Sequence, residues 1–426
     1  MIPLPHSGIF AHTVPSRITI PITNTKAINW AFLQHEAHFM YRRIADRDRA
    51  VLAIGVLENV ISPSFNKANQ VTDWTFGAMR YEWKDALEPD LKSAFPSSEQ
   101  LLCSWTVPRF VVEWVKDEVV MHVPASQEDE ARSWAKGFFS ETNGTHAPIP
   151  IVWTEDFTRE QYLAKVEKLL EHIHRGDIYE VNFCTARRAK ISCFDPFRAF
   201  ERLLESSAAP FAGFYRNGDR FALCASPERF LEFDHDKVIG QPMKGTRPRH
   251  SDPMEDQRLA LELAVDEKER SENIMALDVM RNDLARIAAS GSVKVDELCA
   301  VISFPRVHQM ISTVSATLRS GTTPFHAIAA AFPMASMTGA PKFRAMQLIE
   351  EAEGTPRGLF SGSLGFFAPD GTADFNVVIR TLMYDANSSD ASIHTGSAIT
   401  SLCDPEMEWQ ECQLKARSVI DALAHA

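Results

Sequence analysis

Apolar positions in this chain follow two rhythms, one helical and one extended. From Thr158 onward, Leu163, Val166, Leu169, Leu170 and Ile173 recur at helical spacing. Thr158 and Gln161 stand at capping-box spacing ahead of that run, and Gly176 offers a stop after it. The pattern predicts a helix beginning at Thr158. Ile178-Tyr-Glu-Val-Asn-Phe183 then reads as a strand. Upstream, Ala50-Val-Leu-Ala-Ile54 and Phe110-Val-Val-Glu-Trp-Val115 read as buried or half-buried strands. The polar stretch from Ser126 ends in Asn143-Gly-Thr-His-Ala-Pro-Ile-Pro150, which predicts a helix followed by a linker. Later segments mix strands around 220–233, 359–367 and 375–384 with helices around 255–290, 323–332, 341–352 and 405–425. No regular strand–helix–strand period connects them, so the expected class is α/β or α+β.

Composition narrows the partners. A length of 426 residues accommodates two or three ordinary domains or one large α/β body. A net charge of −12 argues against a nucleic-acid surface, whose affinity rests on Lys and Arg neutralising phosphates. It leaves room for a local basic pocket that takes a small anion. The seven cysteines form no Cys-x-x-Cys pair, which fits reduced thiols in a cytoplasm. The start, Met1-Ile-Pro-Leu-Pro-His6, has neither a basic nor an apolar signal region. No apolar run approaches the ~18–20 residues that span a bilayer. A cytoplasmic protein with no membrane or nucleic-acid partner is expected.

Chemistry concentrates in a few segments. In Gln241-Pro-Met-Lys244-Gly-Thr-Arg-Pro-Arg249, Pro242 and Gly245 constrain and then free the backbone around a lysine. Arg247 and Arg249 add positive potential, which biases Lys244 toward a neutral, nucleophilic amine. The plainer reading is a solvated loop whose arginines bind an anion. Glu269 and Glu272 share one face of a helix, and Glu408 and Glu411 share a face of another. Asp404 and Pro405 cap the second. Two unrelated exposed acidic faces would explain this spacing; convergent faces would need a cation, and oxygen ligands suit Mg²⁺. Thr338-Gly339-Ala-Pro-Lys342 reads as a loop entering a helix, where amides and Lys342 meet an anion. His394-Thr-Gly396-Ser397-Ala-Ile reads as a small-residue turn whose amides bind a carboxylate, and Arg380 as a strand arginine forked onto another. His308 follows Phe304-Pro-Arg-Val. No Walker loop, dinucleotide fingerprint or zinc spacing is present in the sequence.

Together these motifs resemble the chorismate-utilising enzymes, which include the anthranilate, aminodeoxychorismate, isochorismate and salicylate synthases. The matching pieces run in family order. They are Gly176-Asp-Ile-Tyr-Glu-Val-Asn182, Ser226-Pro-Glu-Arg-Phe230, Met243 to Arg249, Glu269-Arg-Ser-Glu272 with Arg281-Asn-Asp283, Val307-His308, Thr338 to Lys342, Asn376 to Thr381, and Asp404 to Glu411. The resemblance implies two sheets packed face to face as a large sandwich with helices outside. Residues 1–150 would be a variable N-terminal region of that fold and 151–426 the chorismate-binding catalytic region. It implies Mg²⁺ as cofactor, bound by Glu272 and Glu411, with Glu269 and Glu408 beside it or acting through water. Thr246, His308, Thr338, Gly339, Lys342, Arg380, Gly396, Ser397 and Lys415 would line the substrate site. Lysine at 244 resembles the aminodeoxychorismate branch, where its amine adds to the ring at C2 as the C4 hydroxyl leaves, and ammonia then adds at C4. Glu228 would be the general acid and would need a raised pKa. The sequence has no Gly-x-Cys-x-Gly elbow, so ammonia would come from a glutamine amidotransferase subunit, for 4-aminobenzoate and folate synthesis. Anthranilate or isochorismate synthesis is the alternative activity, and a silent chorismate-binding scaffold a third.

Three positions depart from the family pattern. Glu180 stands where many amine-adding relatives carry glutamine. Phe366 replaces a tyrosine that contacts substrate in many relatives, so a hydrogen bond is expected to be missing. Ser397 and Ala398 stand in a turn that is often all glycine. Ser207-Ala-Ala-Pro-Phe211 keeps only part of a tryptophan-binding pattern, so tryptophan inhibition is not expected.

Overall fold

Alternation along the strands sorts apolar side chains into layers. In the strand His38–Ile44, Phe39 and Tyr41 enter one cluster while Met40 and Ile44 enter another. In Arg49–Ile54, Leu52 and Ile54 join the first cluster, and Val51 and Ala53 the second. A period of two places successive side chains on opposite faces, so both faces of this sheet are buried. The computed structural model describes residues 16–23, 25, 27–60, 73–91, 102–141 and 151–423. The linker at 143–150 and the N-terminal start lie outside these residues. Among them, the strands form one twelve-stranded and one ten-stranded antiparallel sheet. Met40, Val51 and Val111 from the first meet Phe76, Ala78, Leu364 and Phe366 from the second, in a core between the sheets. Helices cover the outer faces. Glu128–Phe138, Pro196–Ser207 and Pro405–Leu423 pack on the larger sheet, Glu267–Ala285 and Pro324–Ala331 on the smaller. This is the sandwich expected from the sequence. Strands before residue 125 enter both sheets alongside later ones, as His38–Ile44 beside Gly213–Asn217 and Thr75–Met79 beside Ser363–Phe367. Among the described residues no helix is long and apolar enough to cross a membrane.

The helix Arg159–His174 carries the expected capping box at Thr158 and Gln161. Several other elements differ from expectation. The stretch at 255–290 is two helices, Pro253–Val265 and Glu267–Ala285, because Asp266 is extended and its side chain caps the second. The stretches 220–233 and 375–384 each break where the chain changes sheet. Arg220–Cys224 lies in the larger sheet and Arg229–Asp234 in the smaller, while Thr372–Asn376 and Thr381–Asp385 make the reverse passage. Arg380 therefore lies in a crossing, at φ +52°, and not on a strand. The two crossings run side by side, since Ala225 N–H donates to Arg380 O at 3.1 Å and Val377 N–H to Glu228 O at 3.1 Å. The supposed turn at His394–Ile399 lies within the strand Asp390–Thr400, paired along its length with Glu180–Lys190. Phe366 faces Trp74 and Phe76 in the inter-sheet core.

A buried ion network ties the sheets together. Asp374 accepts from Arg42 Nη2 at 2.7 Å and from Arg229 Nε at 2.8 Å, and all three side chains are at most 5% exposed. Removing one partner of such a group leaves an uncompensated charge. Asp374→Ala is expected to lose about 3–5 kcal/mol of unfolding free energy. Urea melts check this; a loss below about 1 kcal/mol would mean that other groups neutralise both arginines.

Candidate active site

Glu228 sits in the first sheet-to-sheet crossing, and the local sequence explains why it is held there. Ser226 Oγ donates to Val377 O at 2.6 Å and accepts from Glu228 N–H at 3.2 Å, which pins one crossing to the other. Glu228 is only 4% exposed. Burial pushes its carboxyl up to about 7, against the opposing pull of Ser336, Lys244 and Lys415.

Lys244 lies on the strand Met243–Pro248, beside Val307–Thr317. The register slips between Lys244 and Thr246, with Gly245 as the extra residue at φ +73°. A Cβ there would come within 3.0 Å of the Glu269 carboxylate, so glycine serves both the bulge and the close approach. Lys244 Nζ donates to Glu180 Oε1 at 2.6 Å and lies 3.9 Å from Glu272 Oε2. Burial alone would lower the pKa of this amine, but Glu180 and Glu272 overcome it and hold it above the ordinary lysine range. This corrects the expectation of a neutral lysine among cations. Arg247 pairs with Asp266 at 2.8 Å, and Arg249 with Asp256 at 2.8 Å, so neither arginine is free to repel the ammonium.

The two acidic helices converge. Lys268 Nζ donates to Glu408 Oε1 at 2.7 Å and lies 3.8 Å from Glu272 Oε1, linking the two elements. Burial raises Glu272 to about 7, and it also raises Glu269 and Glu408. Burial would raise Glu411 too, but Lys415, Lys268 and Lys244 together hold it below the usual range. Lys415 contacts Glu411 at 2.5 Å and donates to Gly396 O at 2.8 Å. Among the described residues no three acidic, imidazole or thiolate groups close on a single point. Glu272 Oε1 is nevertheless buried with no hydrogen-bond partner. An orphaned carboxylate oxygen between acidic helices fits a hard cation such as Mg²⁺.

The remaining candidates divide. Gly396 and Lys415 meet beside Glu411, and Arg380, whose pKa burial lowers, reaches toward the same helix with Nη1 3.4 Å from Ser418 Oγ. Gly396 has no room for a side chain, since a Cβ would approach Cys184 Sγ to 2.5 Å. Thr246 donates to Gln309 Oε1 at 2.9 Å on the Lys244 strand. Gly339 packs so closely on Glu180 that a Cβ would lie 2.1 Å from its carbonyl oxygen. The other four are engaged by the protein. Both ring nitrogens of His308 are bonded, to Ser303 and Asp256. The Thr338 hydroxyl donates to Met334 O. Lys342 donates to Asp283, Ala331 O and Pro333 O, which accounts for its three protons. Ser397 is fully buried and shares a hydrogen bond with Tyr162 at 2.9 Å. Sequence reasoning missed Lys268, which stands four residues before Glu272 and so carried an i,i+4 signal.

A family model described as chorismate binding enzyme matches residues 32–421. An aminodeoxychorismate synthase of Streptomyces griseus is 36% identical over 351 residues, which cover 79% of this chain and 47% of that protein. The chain thus spans about half the length of that relative. Anthranilate synthase component 1 of Thermus thermophilus is 37% identical over 317 residues, covering 72% of this chain and 68% of that protein. The menaquinone-specific isochorismate synthase of Escherichia coli shares the fold, with a TM-score of 0.76 at 17% identity over 96% of this chain and 95% of that one. Because the family match takes in both sheet-to-sheet crossings, the Lys244 strand and both acidic helices, the chain belongs to the chorismate binding enzymes.

Proposed function

We propose that this chain aminates chorismate to 4-amino-4-deoxychorismate, an aminodeoxychorismate synthase activity that depends on Mg²⁺. Ammonia would be delivered by a separate glutamine amidotransferase subunit, and the product would feed 4-aminobenzoate and folate synthesis in the cytoplasm. The observation that carries this reading is Lys244. Its amine is buried beside Glu180 and Glu272, close enough to Glu228 to influence that carboxyl. Glu272 and Glu411 would hold Mg²⁺, with Glu269 and Glu408 beside it, and the bound ion would supply positive charge for the ring carboxylate. Arg380 and the Gly396 region hold the opposite anionic end. Lys244 gives up a proton, for which Glu180 at 2.6 Å is the nearest acceptor, and its neutral amine adds at C2. Both ring double bonds shift, from C1=C2 and C5=C6 to C1=C6 and C4=C5, the C4–O bond breaks, and Glu228 donates its proton so that water leaves. Ammonia adds at C4, both double bonds shift back, and the Lys244 amine departs. Dividing one difficult substitution into two is the usual gain of covalent catalysis.

The anthranilate synthase relative keeps a sibling activity in view, and the product decides between them. Given chorismate, Mg²⁺ and excess ammonium, the protein is expected to yield a product with an amine in place of the hydroxyl and the enolpyruvyl group retained. Chelator should abolish it. Anthranilate released with pyruvate, or an isomer of unchanged mass, would overturn the proposal.

A further inference from the structure

Lys268 belongs to the acidic cluster but has no part in the reaction proposed above. It is the second residue of the Glu267–Ala285 helix. Its side chain is 34% exposed, so its stem reaches inward from the protein surface. The ammonium donates to Glu408 Oε1 at 2.7 Å and lies 3.8 Å from Glu272 Oε1. These carboxylates come from different helices, so the lysine bridges them. Both are deeply buried, with side chains 1% and 8% exposed. The bridge is lopsided: Glu408 receives a hydrogen bond, whereas Glu272 Oε1 has no hydrogen-bond partner among the described residues. Two other lysines also face the cluster: Lys244 is bonded to Glu180 and lies 3.9 Å from Glu272 Oε2, and Lys415 pairs with Glu411 within its own helix and donates to Gly396 O.

We infer that Lys268 is a displaceable internal counter-ion, which bridges Glu272 and Glu408 and swings toward solvent when a divalent cation held by Glu272 and Glu411 enters beside them. The inference rests on the reading of these carboxylates as a Mg²⁺ site. Mg²⁺ demands oxygen ligands at about 2.0–2.1 Å in near-octahedral geometry. An ammonium hydrogen-bonded to one of those carboxylates and facing the other occupies the same space and repels the ion. A lysine is suited to this exchange, because its flexible four-carbon stem lets a strongly hydrated head return to water.

The test is Mn²⁺ binding, followed by the paramagnetic resonance signal of the free ion, on the wild-type protein, Lys268→Met and Lys268→Arg. Lys268→Met should bind Mn²⁺ about five- to tenfold more tightly than wild type, since removing a competing partly exposed ion pair is worth little more than that. Lys268→Arg should not gain affinity. In chelator the melting temperature of Lys268→Met should fall below that of wild type, and Mn²⁺ should raise it further than it raises the wild type. If Lys268→Met does not fold without metal, Lys268→Gln, which keeps a hydrogen-bond donor, replaces it in the same titration. Wild-type binding with equal or weaker binding in the variants would mean that Lys268 orients the ligands, and would overturn the inference while leaving the metal site standing. Absence of saturable Mn²⁺ binding in every form would overturn the metal reading and the inference together.

Discussion

Lys244→Ala is expected to lose about 10³-fold or more in amination at limiting ammonia, while Lys244→Arg loses as much and keeps its melting temperature. A tethered, well-oriented nucleophile acts at effective concentrations of about 10⁵–10⁸ M, so deleting it forfeits several powers of ten that free ammonia does not restore. Arginine separates chemistry from architecture. It can keep an ion pair with Glu180, which accepts from Lys244 at 2.6 Å, but it stays charged and cannot add to a ring. Alanine instead leaves Glu180 and Glu272 buried without their shared cation. Part of any loss in that variant could then come from repulsion between carboxylates. Initial rates across an ammonium series, with melting curves for both variants, check the prediction. Wild-type rates in Lys244→Ala at low ammonia would rule out covalent participation of the lysine. Rates preserved in Lys244→Arg alone would assign it an electrostatic role.

The layers of this fold could be read from the sequence because burial on both sheet faces leaves periodic marks. The cap at Thr158, the strand at Ala50–Ile54 and the helix after Asp404 all follow from local patterns that tertiary contacts reinforce. The crossings were hidden for the same reason. Apolar residues continue through Ala225 and through Val377–Ile379, so nothing in the periodicity reports that the chain leaves one sheet for the other. Glu228 and Arg380 lie in these crossings, which places part of the chemistry where pattern reading is weakest. The charge environment of Lys244 was misjudged because sequence neighbours stood in for spatial ones. Arg247 and Arg249 flank it in the chain but point to Asp266 and Asp256, while Glu180 and Glu272 arrive from 64 and 28 residues away in sequence. The small residues at 394–399 suggested a turn. Their cause is close packing, since Gly396 meets Cys184 and Asn182 where no side chain fits. Convergence of the acidic helices was the step no spacing rule could supply. Lys268 demonstrates it by reaching from one helix to a carboxylate of the other.

Glu228→Gln is expected to slow amination by about 10²–10⁴-fold, the usual worth of a positioned general acid, and at the same time to make the protein more stable above neutral pH. The stability effect follows from the sign of the shift. Burial raises the Glu228 carboxyl from its ordinary 4.5 to about 7, so the folded protein binds this proton more tightly than the unfolded chain does. Stability therefore falls as pH rises from about 4.5 to about 7 and is flat beyond, with a full penalty of about 3 kcal/mol as an order of magnitude. Glutamine is neutral and nearly isosteric, so it removes that penalty at high pH and changes little in acid. The rate profile is less intuitive. Chemistry needs Glu228 protonated and Lys244 neutral, yet Glu228 titrates near 7 and Lys244 above the ordinary lysine range. The reactive form is then a minority at every pH. Its population rises through acid as Lys244 begins to lose its proton, and levels above about pH 7, because each further gain in neutral lysine is matched by a loss of protonated Glu228. In wild type, kcat/KM should climb to about neutral pH and flatten there, and in Glu228→Gln the residual rate should keep climbing past it. A wild-type profile that falls steeply above neutrality would mean that Lys244 is already neutral there. A break near neutral pH that survives in Glu228→Gln would belong to another group, for which Glu272, also raised to about 7, is the first candidate.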